Sequence, residues 1–88
     1  MKLSELLEKG YLSPEDEIVW HQRKLKKVHR ATINGDGSIT TADGAKHRTP
    51  SGAAKHLNDN KPVDGWHAWH LKRTDESLSE LRTQASAD

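Results

Sequence analysis

Large apolar side chains are scarce in this chain, and that scarcity limits what it can fold into more than any other feature. Among 88 residues there are nine Leu, three Val, three Ile, three Trp and Tyr11; the remaining apolar residues are eight Ala and Met1. A chain of this size already buries a smaller fraction of its surface than a larger domain does. So few bulky groups cannot furnish two cores, so residues 1–88 are expected to form a single domain. Each tryptophan then becomes a large share of the available core volume. The absence of cysteine removes disulfides, thiol chemistry and thiolate zinc sites. No apolar run approaches the ~18 residues a bilayer span needs. The opening Met1-Lys2, followed by Ser4, Glu5 and Glu8, does not read as a secretory leader. The expectation is a cytoplasmic protein with no membrane contact.

The formal net charge of +1 conceals a strong asymmetry. Residues 1–20 carry Lys2 and Lys9 against five acids, a net of −3, whereas residues 21–73 carry eleven Lys and Arg against Asp36, Asp43, Asp59 and Asp64, a net of +7. Residues 74–88 carry Arg82 against four acids and return to −3. A basic middle between acidic ends allows one cationic face suited to a polyanion. It equally allows a solvated strand neutralised by acids folded beside it.

Local patterns predict an α+β fold with a small antiparallel sheet. Leu3, Leu6 and Leu7 share one helical face, giving a short helix near 3–9 that Gly10 can end. Ser13-Pro14-Glu15-Asp16 is a turn signal, and β-prone residues then place strands over 17–22 and 27–33, joined by the basic run Arg23-Lys24-Leu25-Lys26-Lys27. Asn34-Gly35-Asp36-Gly37 predicts a hairpin turn at 34–37, with a return strand over 38–41. A turn at 42–44 and a short strand over 45–48 follow. Thr49-Pro50-Ser51 opens a helix near 50–57. Residues 58–64 read as loop, 65–72 as a turn entering a strand, and 75–82 as a last helix with Leu78 and Leu81 on its apolar side. Three short helices would thus cover the sheet. The expected core is Leu6, Leu7, Trp20, Val28, Ile33, Ile39, Ala53, Ala54, Leu57, Trp69, Leu71, Leu78 and Leu81.

Several chemical signals fail on inspection. Thr32 to Ile39 imitates the middle of an EF-hand calcium loop. Yet Thr32 stands where the first Asp ligand belongs, Asp43 stands where a bidentate Glu belongs, and the flanks are strands. His67 and His70 have a spacing some zinc ligands show, but no third ligand is placed to complete a site. Ser51 with any of the six histidines satisfies nucleophilic catalysis only in residue type. No phosphate loop, dinucleotide-binding glycine pattern or acid pair is present. The expectation is a non-enzymatic protein with no metal and no cofactor.

Five stretches remain, in order: Leu6-Leu7-Glu8-Lys9-Gly10-Tyr11-Leu12, Ala31-Thr32-Ile33-Asn34-Gly35-Asp36-Gly37-Ser38-Ile39, Thr49-Pro50-Ser51-Gly52-Ala53-Ala54, Gly65-Trp66-His67-Ala68-Trp69 and Leu78-Ser79-Glu80-Leu81-Arg82. Together they resemble the RAMA domain, the restriction enzyme adenine methylase associated domain, over about residues 3–83, with 84–88 as a disordered tail. Two positions depart from the family pattern: Thr49 replaces the usual Ser and keeps a capping hydroxyl, and Asp64 replaces the usual Asn before Gly-Trp. The resemblance implies a module of restriction–modification systems that binds duplex DNA, base-modified duplex included. On that reading Arg23, Lys24, Lys26, Lys27, Arg48 and Lys55 would contact phosphates. The helix start at Ser51 would favour a phosphate oxygen, and Trp66 would stand near the bases. Trp20 and Trp69 are assigned to the core. The alternative is a protein-interaction module that tethers a methylase, nuclease or other partner through its acidic ends and tryptophans.

Overall fold

The computed structural model describes residues 1–87. The chain runs α1 (Leu3–Glu8), β1 (Glu17–Gln22), a 3-10 turn (Arg23–Leu25), β2 (Lys27–Ile33), β3 (Ile39–Thr41), β4 (Lys46–His47), α2 (Pro50–Leu57), α3 (Gly65–Ala68), β5 (His70–Leu71) and α4 (Leu78–Ala87). The strands form one antiparallel sheet in the order β4-β3-β2-β1-β5. This is the expected α+β arrangement. The central pair β1–β2 is its longest ladder, with Glu17 opposite Thr32 at one end and Gln22 opposite Lys27 at the other.

The hairpin between β2 and β3 falls where the sequence places it. Asn34 N–H donates to the Ser38 carbonyl at 2.8 Å and Gly37 N–H to the Asn34 carbonyl at 3.0 Å. The left-handed residue is Gly37, at φ +86°, a conformation that costs glycine nothing and other residues a Cβ clash. Asp36 Oδ1 accepts from both the backbone and the hydroxyl of Ser38 and holds the turn shut.

Strand alternation selects the core. Ile18, Trp20, Ala31, Ile33, Ile39 and Leu71 point inward and are buried, together with Leu3, Leu6 and Leu12 from the first helix and its exit, Ala53 and Ala54 of α2, Trp69, and Leu78, Leu81 and Ala85 of α4. Leu7 and Leu57 lie at the margin, partly buried against this cluster. Val28, expected inside, is 53% exposed. The reason is period two: Ala31 and Ile33 face inward and His29 is partly buried, so Val28 and Arg30 must face out. An apolar residue type pointed to the core; its parity with Ile33 does not.

The turn that enters a strand at 65–72 is the helical turn α3 followed by β5. A further expectation is corrected. The last helix begins at Leu78, not 75, and continues past 82 to Ala87, so residues 84–87 are helical and Ala85 is buried; residue 88 of the expected tail lies outside the described residues. Ser77 sets that start, because its hydroxyl accepts from Glu80 N–H at 3.0 Å and its carbonyl from Leu81 N–H at 3.1 Å. Ser77-Leu78-Ser79-Glu80 is a capping-box spacing readable in the sequence. Four helices, rather than three, accompany the sheet among the described residues.

The tightest joint is between α2 and α3. A Cβ built on Gly65 would stand 2.1 Å from the carbonyl carbon and oxygen of Pro50, so the two backbones touch where only glycine fits. Ser51 Oγ accepts from Gly65 N–H at 3.1 Å, and the fully buried Trp69 donates its indole N–H to the Pro50 carbonyl at 3.1 Å. Gly65→Ala is therefore expected to destabilise the fold by at least the ~1–3 kcal/mol typical of overpacking, since backbone rather than a side chain must yield. Ala54→Leu should cost a similar ~1–3 kcal/mol because Ala54 is fully enclosed. Urea unfolding monitored by tryptophan fluorescence measures both; an unchanged midpoint for Gly65→Ala would refute the joint.

Candidate nucleic-acid interface

The topology separates the sequence-predicted contact residues into two groups. β1 ends, and β2 begins, at the basic turn, so Arg23, Lys24, Lys26 and Lys27 cluster at one end of the sheet. α2 runs back toward the same end: Gln22 Nε2 donates to Asn58 Oδ1 at 2.8 Å just beyond the helix. Lys55, three residues before Asn58, stands on α2 between this end and the helix start, only about 6 Å along the axis from Ser51. Arg48, Ser51 and Trp66 lie where α2 begins. The seven residues of β2 at ~3.3 Å each put roughly 20 Å between the basic turn and the hairpin at the far end of the strand.

The turn end is electrostatically bare. Arg30 and Lys72 both pair with Glu17, at 3.4 and 3.1 Å, Arg73 with Asp16 at 3.1 Å, and Lys46 with Asp36 at 3.3 Å. Asp43 and Asp64 are taken by His56 and His67, each at 2.6 Å. Arg23, Lys24, Lys26, Lys27 and Lys55 are exposed, and none makes an ion pair among the described residues. Asp16, Glu17, Asp36 and Asp43 are thus engaged by groups elsewhere on the sheet, and among the described residues no acid is paired with the basic turn. Exposed pairs of this kind add little stability; their consequence here is where they leave positive charge.

The other end is a groove of about 580 Å³ lined by Lys2, Leu3, Arg48, Pro50 and Trp66 and by the 36–38 turn. Trp66 is half-buried, packs on the core margin, and carries the Arg82 guanidinium 4.2 Å from its ring centre. One of its faces is therefore covered by a cation from α4. Ser51 Oγ accepts from Gly65 N–H, which fixes the side chain while its O–H remains a donor. The cap of α2 is Thr49, whose Oγ1 accepts from Gly52 N–H at 3.0 Å. Arg82 is the residue of this end that sequence reading missed; its position beside Trp66 depends on α4 crossing α3, which no local pattern encodes.

Asp64, the departure from the family pattern, accepts from His67 Nδ1 at 2.6 Å, and that hydrogen bond holds its carboxyl below the usual range. His67 Nε2 in turn lies 3.2 Å from Ser79 Oγ. The resulting Asp64–His67–Ser79 line ties α3 to the first turn of α4. Its members are open to water, the His67 and Asp64 side chains being 68% and 62% exposed.

The turn stands on a braced stalk. Trp20 packs on His29 with ring centres 4.8 Å apart, and His29 Nε2 donates to Gln22 Oε1 at 2.9 Å, since the amide oxygen can only accept. Burial, aided by the charge of Lys27, lowers the His29 pKa from its ordinary 6.5. His47, whose ring centre is 4.7 Å from that of His56, is lowered by burial and then by His56.

Among the described residues no group of three or more His, Cys, Asp or Glu is placed to hold a metal ion, and no helix is long and apolar enough to cross a membrane.

The molecule is an α+β protein, a five-stranded antiparallel sheet accompanied by short helices with cations concentrated at a hairpin end. The family profile described as Restriction Enzyme Adenine Methylase Associated, or RAMA, matches residues 1–88, and the chain belongs to that family. Its context is accordingly that of restriction–modification systems. No curated protein matches the chain significantly.

The histidine environments make stability depend on pH. Because both His29 and His47 have folded-state pKa values below 6.5, the unfolded chain binds more protons once pH falls through that value, and their contribution is fully present only above it. Stability is expected to decline from about pH 7 to about pH 5, before the carboxylates titrate. Asp36, held down to about 2 by the Ser38 hydroxyl and backbone and by Lys46, matters only at lower pH. Urea midpoints across that range check this: His29→Gln should flatten the slope, and an unchanged slope in both His29→Gln and His47→Gln would refute the assignment.

Proposed function

We propose that this chain is a non-enzymatic DNA-binding module that meets duplex DNA through the hairpin end of its sheet. The observation that carries the reading is the set of exposed cations without counter-ions among the described residues: Arg23, Lys24, Lys26 and Lys27 on the turn, with Lys55 on the part of α2 that approaches it. Such groups neutralise phosphates and release condensed counter-ions, an interaction that does not depend on base sequence. Membership of a family associated with restriction enzymes and adenine methylases supports DNA as the polyanion. The groove holding Arg48 and Trp66 is large enough for an extruded base and is where a base modification would be read. Its distance from the basic turn makes it a second contact rather than part of the first. Methylase or nuclease components of the same system are the protein partners this context suggests.

Catalysis is not part of the proposal. In the Asp64–His67–Ser79 line water solvates both carboxylate and imidazole, which removes most of the low-dielectric benefit that lets such a line activate a hydroxyl.

Duplex DNA should bind with a dissociation constant of about 10⁻⁴–10⁻⁶ M at physiological salt. Five phosphate contacts predict a log–log salt slope of roughly −4 to −5, reduced by about one unit in Lys24→Ala and again in Lys27→Ala. Trp66→Ala should leave that slope unchanged and alter discrimination between modified and plain duplex. Fluorescence anisotropy over a salt series measures all three. Salt-independent binding would refute the phosphate mechanism, and amide shifts gathered on residues 1–16 and 75–87 would favour a protein-tethering module.

A further inference from the structure

The β1–β2 hairpin is more than an edge of the sheet. β5 pairs only with Ile18 and Val19, and β3 pairs only with Ala31 to Ile33. The outer rungs, Trp20–His29, His21–Val28 and Gln22–Lys27, therefore have no strand on either side. They form a two-stranded arm. Its root is fixed by the contact of Trp20 with His29, and its outermost rung is tied through Gln22 both to His29 and to Asn58 beyond α2, so that only the tip projects. At its tip, Arg23-Lys24-Leu25-Lys26-Lys27, Leu25 is 56% exposed. A lone exposed leucine is ordinary; one flanked on both sides by unpaired cations, at the end of a braced arm, is not. Lys26 adds a second observation. It sits at φ +52°, a left-handed position that Gly or Asn would occupy at lower cost, so the tip keeps a cation where the backbone favours another residue.

We infer that the arm enters the minor groove of duplex DNA and that Leu25 is a wedge pressed between adjacent base pairs, kinking the duplex. The inference rests on the DNA-binding reading above and specifies its mode. The four tip cations would hold the two phosphate rows bordering the groove. The minor groove is only ~6 Å wide in ordinary duplex, so a two-stranded ribbon must open it, and an apolar side chain at the tip stabilises the opened step by replacing lost stacking. Pyrimidine–purine steps, above all TA, unstack most easily and would be preferred.

The test uses the whole chain and a short duplex carrying 2-aminopurine at a central TA step, with a donor and acceptor dye on the ends of a second copy. Wild type should raise the 2-aminopurine emission about twofold or more and bring the duplex ends together, as unstacking and kinking require. Leu25→Ala should abolish most of both changes and weaken binding to the TA duplex by about five- to tenfold, keeping the salt slope. Leu25→Met should restore both signals. Lys24→Ala should do the reverse, lowering the slope without changing the emission at saturation. Salt-dependent binding with unchanged emission, and equal affinity for wild type and Leu25→Ala, would overturn the wedge and leave the phosphate contacts standing. Absence of salt-dependent binding by wild type would overturn both. Because Leu25 is exposed, its variants should match the wild-type urea midpoint.

Discussion

The indole of Trp69 is the point on which the rest of the molecule hangs. It is wholly enclosed, stands edge-on to Trp20 with ring centres 6.0 Å apart, and spends its only donor on the carbonyl of Pro50. That bond joins the first residue of α2 to the segment between α3 and β5. The backbone of the same tryptophan accepts from Leu78 N–H and donates to the Gly65 carbonyl, each at 3.0 Å. Three helices and the sheet thus share one residue. Gly65 is the complementary requirement, because Trp69 reaches Pro50 only while α2 and α3 stay in backbone contact. In a chain with so few bulky side chains, a single buried tryptophan does what several leucines would do in a larger core.

Charge placement follows from the same packing. β5 brings Lys72 to Glu17 and the following turn brings Arg73 to Asp16, while β2 brings Arg30 to Glu17. Asp16 and Glu17, at the entry to β1, are thereby paired with basic residues far from them in sequence. The basic turn, carried to the other end of the sheet by the six-rung ladder, receives no such partner among the described residues. A chain of net charge +1 acquires a cationic end in this way, and the positive potential lies where the backbone is least covered by neighbouring strands.

The two tryptophans of the Gly65-Trp66-His67-Ala68-Trp69 segment divide the labour. α3 is one turn long and ends at Ala68, and Trp69 follows it in an extended conformation, so the two side chains are not held to one helical face. Trp69 turns inward to Pro50, and Trp66 stays at the rim between the groove and Arg82. Asp64 fits this arrangement without disturbing the groove, since its charge is engaged by His67. His47 and the buried side of His29 carry the sensitivity to acid, because burial disfavours the charged imidazole.

Much of the architecture was legible in the residues. The hairpin at 34–37, the strand pair 17–22 and 27–33, the Thr49-Pro50 helix start and the assignment of Trp20 and Trp69 to the core all rest on local chemistry: a left-handed glycine, β-branched alternation, a capping hydroxyl and the size of an indole. Local chemistry also contained signals that reading by residue type passed over. The parity of Val28 with Ile33 sends it outward, and the Ser77–Glu80 spacing starts α4. Only the tertiary structure decided which charges are spent. Whether a lysine is paired depends on which strand lies beside it, and strand order is a property of the closed sheet rather than of any segment. The same is true of the site: Arg23, Lys24, Lys26 and Lys27 come to one end and Arg48, Ser51 and Trp66 to the other, with Lys55 on α2 between them, because α2 starts at one end and its exit at Asn58 reaches Gln22 beside the other. Composition determined that there would be one core and a surplus of basic residues in the middle of the chain; the direction of one helix and the unequal lengths of five strands determined where that surplus faces solvent.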